Sequence, residues 1–112
     1  MSVFASLNGV PLALQSAATT GNGDIVAVPV SVKSNVLVIK GSSGVASGAV
    51  QVEAADDPTY ASTWQQIGGG PVTVLADTEL MVTWTDRYPF VRARVSTVIA
   101  GGTVTCSYFG SH

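Results

Sequence analysis

Asp56-Asp57 is the only pair of adjacent acidic residues in the chain. Neighbouring residues on an extended backbone point to opposite faces, so these carboxylates do not converge as an acid/base pair must. Followed by Pro58 and Thr59, they read as a turn. Asp77 and Glu79 are two apart and can share a strand face, and Asp86 could join them in a folded sheet. Calcium takes about 6–8 oxygen ligands, usually from a DxDxDG-like loop that is missing here, so a solvated acidic rim is the expectation. The single cysteine, Cys106, and the single histidine, the terminal His112, cannot build a tetrahedral zinc site within one chain. Serines are plentiful, but no internal histidine can act as their base and no GxSxG occurs. A lysine base, Lys33 or Lys40, is the residual scheme. The glycine-rich runs at Gly41–Gly44 and Gly68–Gly70 open no helix and carry no P-loop lysine, so loops are expected there. The inventory predicts no catalytic residues, no metal, no cofactor and no enzyme.

Binding is better provided for. Arg92 and Arg94 fall on one strand face, with Arg87 just before them. They read either as a solvated face or as a row of intersubunit salt bridges. Tyr60, Trp64, Trp84, Tyr88, Phe90 and Tyr108 raise the possibility of a carbohydrate site. Trp84 is in phase with Leu80 and Val82 and is assigned to the core. Tyr60 and Trp64 flank a polar loop, beside Asp56 and Asp57.

The elements that must carry these residues are strands. Val26, Val28, Val30 and Val32 alternate with Ile25, Ala27, Pro29 and Ser31, and Pro29 marks an edge or a bulge. Val36-Leu37-Val38-Ile39 is apolar on both faces, as in a central strand covered on both sides. Val50, Val52 and Ala54 face in while Gln51 and Glu53 face out. Trp64 to Ile67 is a short strand stopped by Gly68–Pro71, and Val72 and Val74 begin the next. Leu80, Val82 and Trp84 share a face. Val91, Ala93 and Val95 point in, with Arg92 and Arg94 out. Gly101-Gly102 marks a hairpin, and Val104, Cys106 and Tyr108 close the core. About eight short strands at this spacing predict an all-β antiparallel sandwich or barrel. Residues 12 to 18 (LALQSAA) come nearest to a helix. Residues 1–20 read as an N-terminal arm or first strand, and 21–112 as a single β-sandwich domain.

Bulk composition agrees. At 112 residues the chain is one domain, and burying roughly two-thirds of its unfolded surface supplies a core without staples. One cysteine allows no internal disulfide, and Cys106 reads as a small buried hydrophobe. The first 18 residues lack a basic n-region and are cut by Asn8, Gly9 and Pro11, so they fail as a secretory signal. No run reaches the ~18 apolar residues of a membrane span. With five basic residues and a net charge of −2, nucleic acid is not an expected partner. Only 11% of residues are charged, which favours a surface partly covered by other protein.

The stretch GAVQVEAADDPTYASTWQQIGG (48–69), the later Arg92-Ala93-Arg94-Val95 and the Gly101-Gly102-Thr103-Val104-Thr105 segment resemble a pattern recurrent in small virion proteins of tailed bacteriophages. The resemblance covers roughly residues 35 to 108. It implies a jelly-roll-like or immunoglobulin-like sandwich acting as a capsid decoration (cement) protein, or as a neck, tail or fibre component. Such proteins sit on the capsid surface, bind the major capsid protein and often trimerise. The implied location is the virion, after synthesis in the host cytoplasm. On that reading the expected capsid or intersubunit contacts are Val3, Phe4, Leu7, Leu12 and Leu14 with Arg92 and Arg94. The alternative is a carbohydrate-binding or host-adhesion module using Tyr60, Trp64, Asp56 and Asp57.

Overall fold

The computed structural model describes residues 2–4, 12–28, 32–56, 64–86 and 88–111, with only the backbone described at 2–4 and at Leu12. Tyr60, Asp57, Leu7, Arg87, Pro29 and His112 lie outside the described residues, as do the side chains of Val3 and Phe4.

Nine strands are described: β1 (Ser2–Phe4), β2 (Leu12–Ala18), β3 (Ile25–Ala27), β4 (Ser34–Gly41), β5 (Ser47–Ala55), β6 (Gln65–Thr73), β7 (Glu79–Trp84), β8 (Phe90–Ala100) and β9 (Val104–Ser111). They form two sheets. Sheet A has the order β1-β3-β8-β5-β6 and sheet B the order β2-β9-β4-β7. Every pairing is antiparallel except β1 with β3, which run parallel. The fold is the all-β sandwich that period-two alternation requires, because each strand has one apolar face that only a second sheet can cover.

The core lies between the sheets. Sheet A supplies Val26, Val50, Val52, Ala54, Val91, Ala93 and Val95; sheet B supplies Leu14, Leu37, Ile39, Val82, Val104, Cys106 and Tyr108. Cys106 is fully buried, as a small hydrophobe in this phase should be. Its thiol is pushed up to about 12 by desolvation. Trp84 packs against the core, its ring tilted 36° to that of Tyr108 with centroids 6.1 Å apart.

The structure corrects several expectations. Of the two alternatives for residues 1–20, arm or first strand, residues 12–18 take the strand, at the edge of sheet B on β9, and Leu14, expected as a contact, lies in the core. Their register slips twice, between Ala13 and Gln15 and between Gln15 and Ala18, and these bulges hid the alternation. Gln15 is thereby turned inward, and its amide donates to the carbonyls of Ala93 (2.8 Å) and Gly21 (3.1 Å). The two strands expected around Gly68–Pro71 are one. All three glycines adopt positive φ (76°, 92° and 118°), and the ladder passes from Val52↔Ile67 to Val50↔Val72 across the excursion. The strand expected over 24–32 is hydrogen-bonded as strand only at 25–27 among described residues. These differences give nine strands in place of about eight.

Gly101-Gly102 does not close a hairpin. It carries the chain from β8 in sheet A to β9 in sheet B. Every pair of consecutive described strands except β5 and β6 lies in different sheets, so the joins are arches over the core. Finally, β4 is central in sheet B, but only Leu37 and Ile39 are covered by the core. Val36 and Val38, on the outer side, are half-buried, shielded by cross-strand neighbours alone.

Candidate binding site on sheet A

The residues expected to point outward from β5 and β8 do so, but they are not solvated. Glu53 lies opposite Arg92, and Gln51 opposite Arg94, in the β5–β8 ladder. Register alone therefore brings two guanidinium groups to one carboxylate. Arg92 Nη2 stands 2.8 Å from Glu53 Oε1, with Arg92 Nε also donating to that oxygen at 2.8 Å. Arg94 Nε donates to Glu53 Oε2 at 3.0 Å, and the Gln51 amide donates to the same oxygen. Both Arg92 and Glu53 are buried; Arg94 keeps 35% of its side chain exposed. The Trp64 ring covers Arg92, with its guanidinium carbon 4.2 Å from the ring centroid.

Burial pushes the Glu53 carboxyl up, yet hydrogen bonds from Arg92, Gln51 and Arg94, with the charge of Arg92, outweigh it and hold the group below its ordinary value. The expected solvated arginine face is thus a buried ion cluster roofed by an indole. Desolvation is tolerated because both carboxylate oxygens are satisfied within the chain. Sequence reasoning placed these arginines correctly on one face but missed Glu53 as their partner, although its outward position between inward Val52 and Ala54 put it on a sheet face that could meet them.

Beside the cluster, where β5 ends and β6 begins, an open pocket of about 380 Å³ is lined by Ala54, Ala55, Asp56, Gln65, Tyr88 and Pro89. The ladder explains its position: Ala54 pairs with both Gln65 and Val91, so all three strands present their ends together. Asp56 and Gln65 are exposed and Tyr88 is half-buried, so a carboxylate, an amide and a phenol meet over an apolar floor. The carboxylate, the amide and the phenol together can donate to and accept from hydroxyl groups. The structure brings Asp56 to the pocket, whereas the Trp64 ring lies over Arg92 and is not part of the pocket lining. Leu14, by contrast, is core, and Val3 and Phe4 belong to edge strand β1, remote in sheet order from β5 and β6.

A second polar constellation lies between the sheets. The Tyr108 hydroxyl donates to Asn35 Oδ1 at 2.5 Å, and Asn35 Nδ2 donates to the carbonyls of Trp84 (3.2 Å) and Asp86 (3.3 Å). Desolvation raises the phenol to about 12, so it stays neutral. Fully paired, this network ties β9, β4 and the end of β7 together.

No protein-family model matches the chain, and no curated protein matches it. Among solved structures, the crystal structure of the SPBc2 prophage-derived protein YomS is similar, with a TM-score of 0.60 over 93% of this chain and 94% of that one. Sequence identity is 15%, so the likeness is one of fold.

Proposed function

We propose that this chain is a non-enzymatic structural protein of a phage virion, which binds the capsid surface and reinforces the shell by bridging neighbouring copies of the major capsid protein. The observation that carries the reading is the end-to-end fold shared with a prophage-derived protein of nearly equal extent. The sparse surface charge supports it, since a sandwich exposed to water on all sides ordinarily guards its faces with lysine and glutamate. Many identical weak contacts summed over a shell give avidity without a strong single site. The chain acts as a homo-oligomer on this reading, a trimer being what the phage resemblance implies.

The N-terminal segment is the proposed shell contact. The structure constrains how that is tested. Leu14 and Gln15 are built into the core, so a truncation through residue 16 removes an edge strand and unfolds sheet B. Deleting residues 2–10 spares β2 and, of the described strands, removes only the three-residue edge strand β1, which pairs with β3 alone and gives no described side chain to the core. The full chain is expected to co-sediment with heads of the phage that encodes it and to be detected by mass spectrometry in purified virions; the 2–10 deletion is expected to stay folded and unbound. Absence of the chain from purified virions would overturn the proposal.

A second reading is favoured by one feature, the Asp56/Gln65/Tyr88 pocket, whose Gln65 follows Trp64 in the chain. Its polar set suits a saccharide, as in a host-adhesion module of a neck, tail or fibre. Saturable quenching of tryptophan fluorescence by members of a glycan panel, lost in Asp56→Ala and weakened in Tyr88→Phe, is the expected result. A flat response to every glycan removes this reading.

A further inference from the structure

Each sheet has two edge strands, and three of the four are blunted. β1 is three residues long, and β2 slips register twice. β6 is interrupted by three successive glycines at positive φ and by Pro71, which has no N–H to donate. Short strands, bulges and proline keep an edge from pairing with another chain. The fourth edge, β7, has none of them. Its residues, Glu79 to Trp84, pair with β4 without a slip, and Glu79 at the end is the strand's only charge. Met81, 65% exposed, sits mid-strand.

The phase of the ladder identifies the unspent backbone groups of β7. The Gly41 N–H donates to the Thr78 carbonyl at 3.2 Å, one step beyond the Lys40↔Glu79 pair. Hydrogen-bonded pairs recur at every second residue of an antiparallel ladder, so Leu80, Val82 and Trp84 are the residues bonded to β4. The other side of β4 agrees. The Ser42 N–H donates to the Thr103 carbonyl at 2.9 Å, one step from Gly41↔Val104, which gives the even-numbered residues of β4 to β9 and the odd-numbered ones to β7. The N–H and C=O groups of Glu79, Met81 and Thr83 therefore point out of the sheet. All three residues are exposed, and among the described residues nothing bonds to these groups.

We infer that β7 pairs antiparallel with β7 of a second copy, about a two-fold axis through Met81, so that the two B sheets become one continuous sheet. In this register Met81 lies opposite the partner's Met81, and Glu79 opposite the partner's Thr83. All three outward-pointing residues of each copy then find main-chain partners. Sliding one copy by two residues either way puts Thr83 opposite Asp77, a turn residue at φ 52°, or Glu79 opposite Thr85, beyond the strand end. Charge allows the match. No acid faces an acid, and the two Glu79 residues stand four steps apart along the seam, about 14 Å, beyond the reach of a screened charge. On the inner face Leu80 meets the partner's Val82, which carries the apolar core across the seam. Directional bonds along one strand hold this contact more than area does, so the pair is reversible and concentration-dependent. It forms or fails whether or not the chain belongs to a virion. A trimer built through another surface leaves the β7 edges free to pair, so the assembly holds an even number of chains.

Light scattering on the purified chain at submillimolar concentration tests the pairing, the expected mass being an even multiple of 11.4 kDa. Amide hydrogen exchange tests the register. The amides of Met81 and Thr83 are expected to slow about tenfold between micromolar and submillimolar protein, whereas those of Leu80 and Val82, bonded to β4, are slow at both. Met81→Lys and Met81→Glu each place like charges opposite each other on the axis. Both are expected to stay folded by circular dichroism, because position 81 is exposed, and to lose the pairing. An equimolar mixture of the two is expected to restore it as a mixed pair, since position 81 meets only position 81. Damage within one chain cannot be rescued by mixing. A monomeric or trimeric parent chain, exchange at Met81 and Thr83 that is independent of concentration, or a mixture that stays unpaired overturns the inference.

Discussion

Glu53 is where the buried charge of this protein converges, and its replacement is the most informative single change. Glu53→Gln keeps the volume but leaves the buried Arg92 without a counter-charge. The expected loss is about 3 kcal/mol, read as a lower urea midpoint at unchanged slope. The same group predicts the acid behaviour. Its folded pKa lies below the unfolded value, so the stabilisation is complete above the unfolded pKa and is lost as pH falls through the folded one. Thermal melts of the parent chain should therefore drop below roughly pH 4, and Glu53→Gln should flatten that dependence. At Asn35, substitution by Ala strands the Tyr108 hydroxyl in the core and is expected to cost about 2 kcal/mol. Cys106 is buried with its thiol near 12, so native protein should resist iodoacetamide at neutral pH and react once unfolded. Fast modification of the native chain would mean that the β9 face opens locally.

At the scale of elements, two glycines separate steric clash from backbone strain. Gly48 has φ +136°, and a Cβ there would lie 2.4 Å from Ile99 Cδ1 and 2.9 Å from Ile99 Cα. Gly69 has φ +92° with nothing within 4 Å of that position. Gly48→Ala is expected to cost about 3 kcal/mol and Gly69→Ala about 1 kcal/mol, measured by chemical denaturation, the difference being the packing term. Equal costs would show that the β5–β8 bulge gives way freely. Regular strands were legible in the chain because alternation survives there: β4, β5, β7, β8 and β9 each keep a clean inward set. Irregular ones were not. In β2 two register slips break the period, and in β6 the glycine excursion looks like a terminus, although hydrogen bonds to β5 resume beyond it.

For the whole molecule, arch connections mean that nearly every strand is held by partners remote in sequence. Refolding should accordingly be slow for a chain of this length, in the millisecond-to-second range of sandwiches, with a single phase by stopped-flow fluorescence. Sub-millisecond refolding would contradict a transition state that must assemble both sheets. The two outer faces also differ in kind. Sheet A carries a roofed ion cluster, while the outer side of sheet B is nearly neutral, with Lys40 and Glu79 the only charged residues in its four strands.

The amino-acid sequence by itself determined an all-β antiparallel fold, most of its inward residues, the burial of Cys106, the packing of Trp84 against the core, and the scarcity of histidine and cysteine. Each of these follows from local alternation or from composition. Only the tertiary structure decided which strands share a sheet, that Gly101-Gly102 bridges the sheets, and that Glu53 draws Arg92 and Arg94 into a buried cluster under Trp64. The last depends on residues 39 and 41 positions apart in the chain meeting across one ladder. Period-two patterning states which side of a strand a residue occupies; it does not state which strand lies beside it, or what covers the side that faces away from the core.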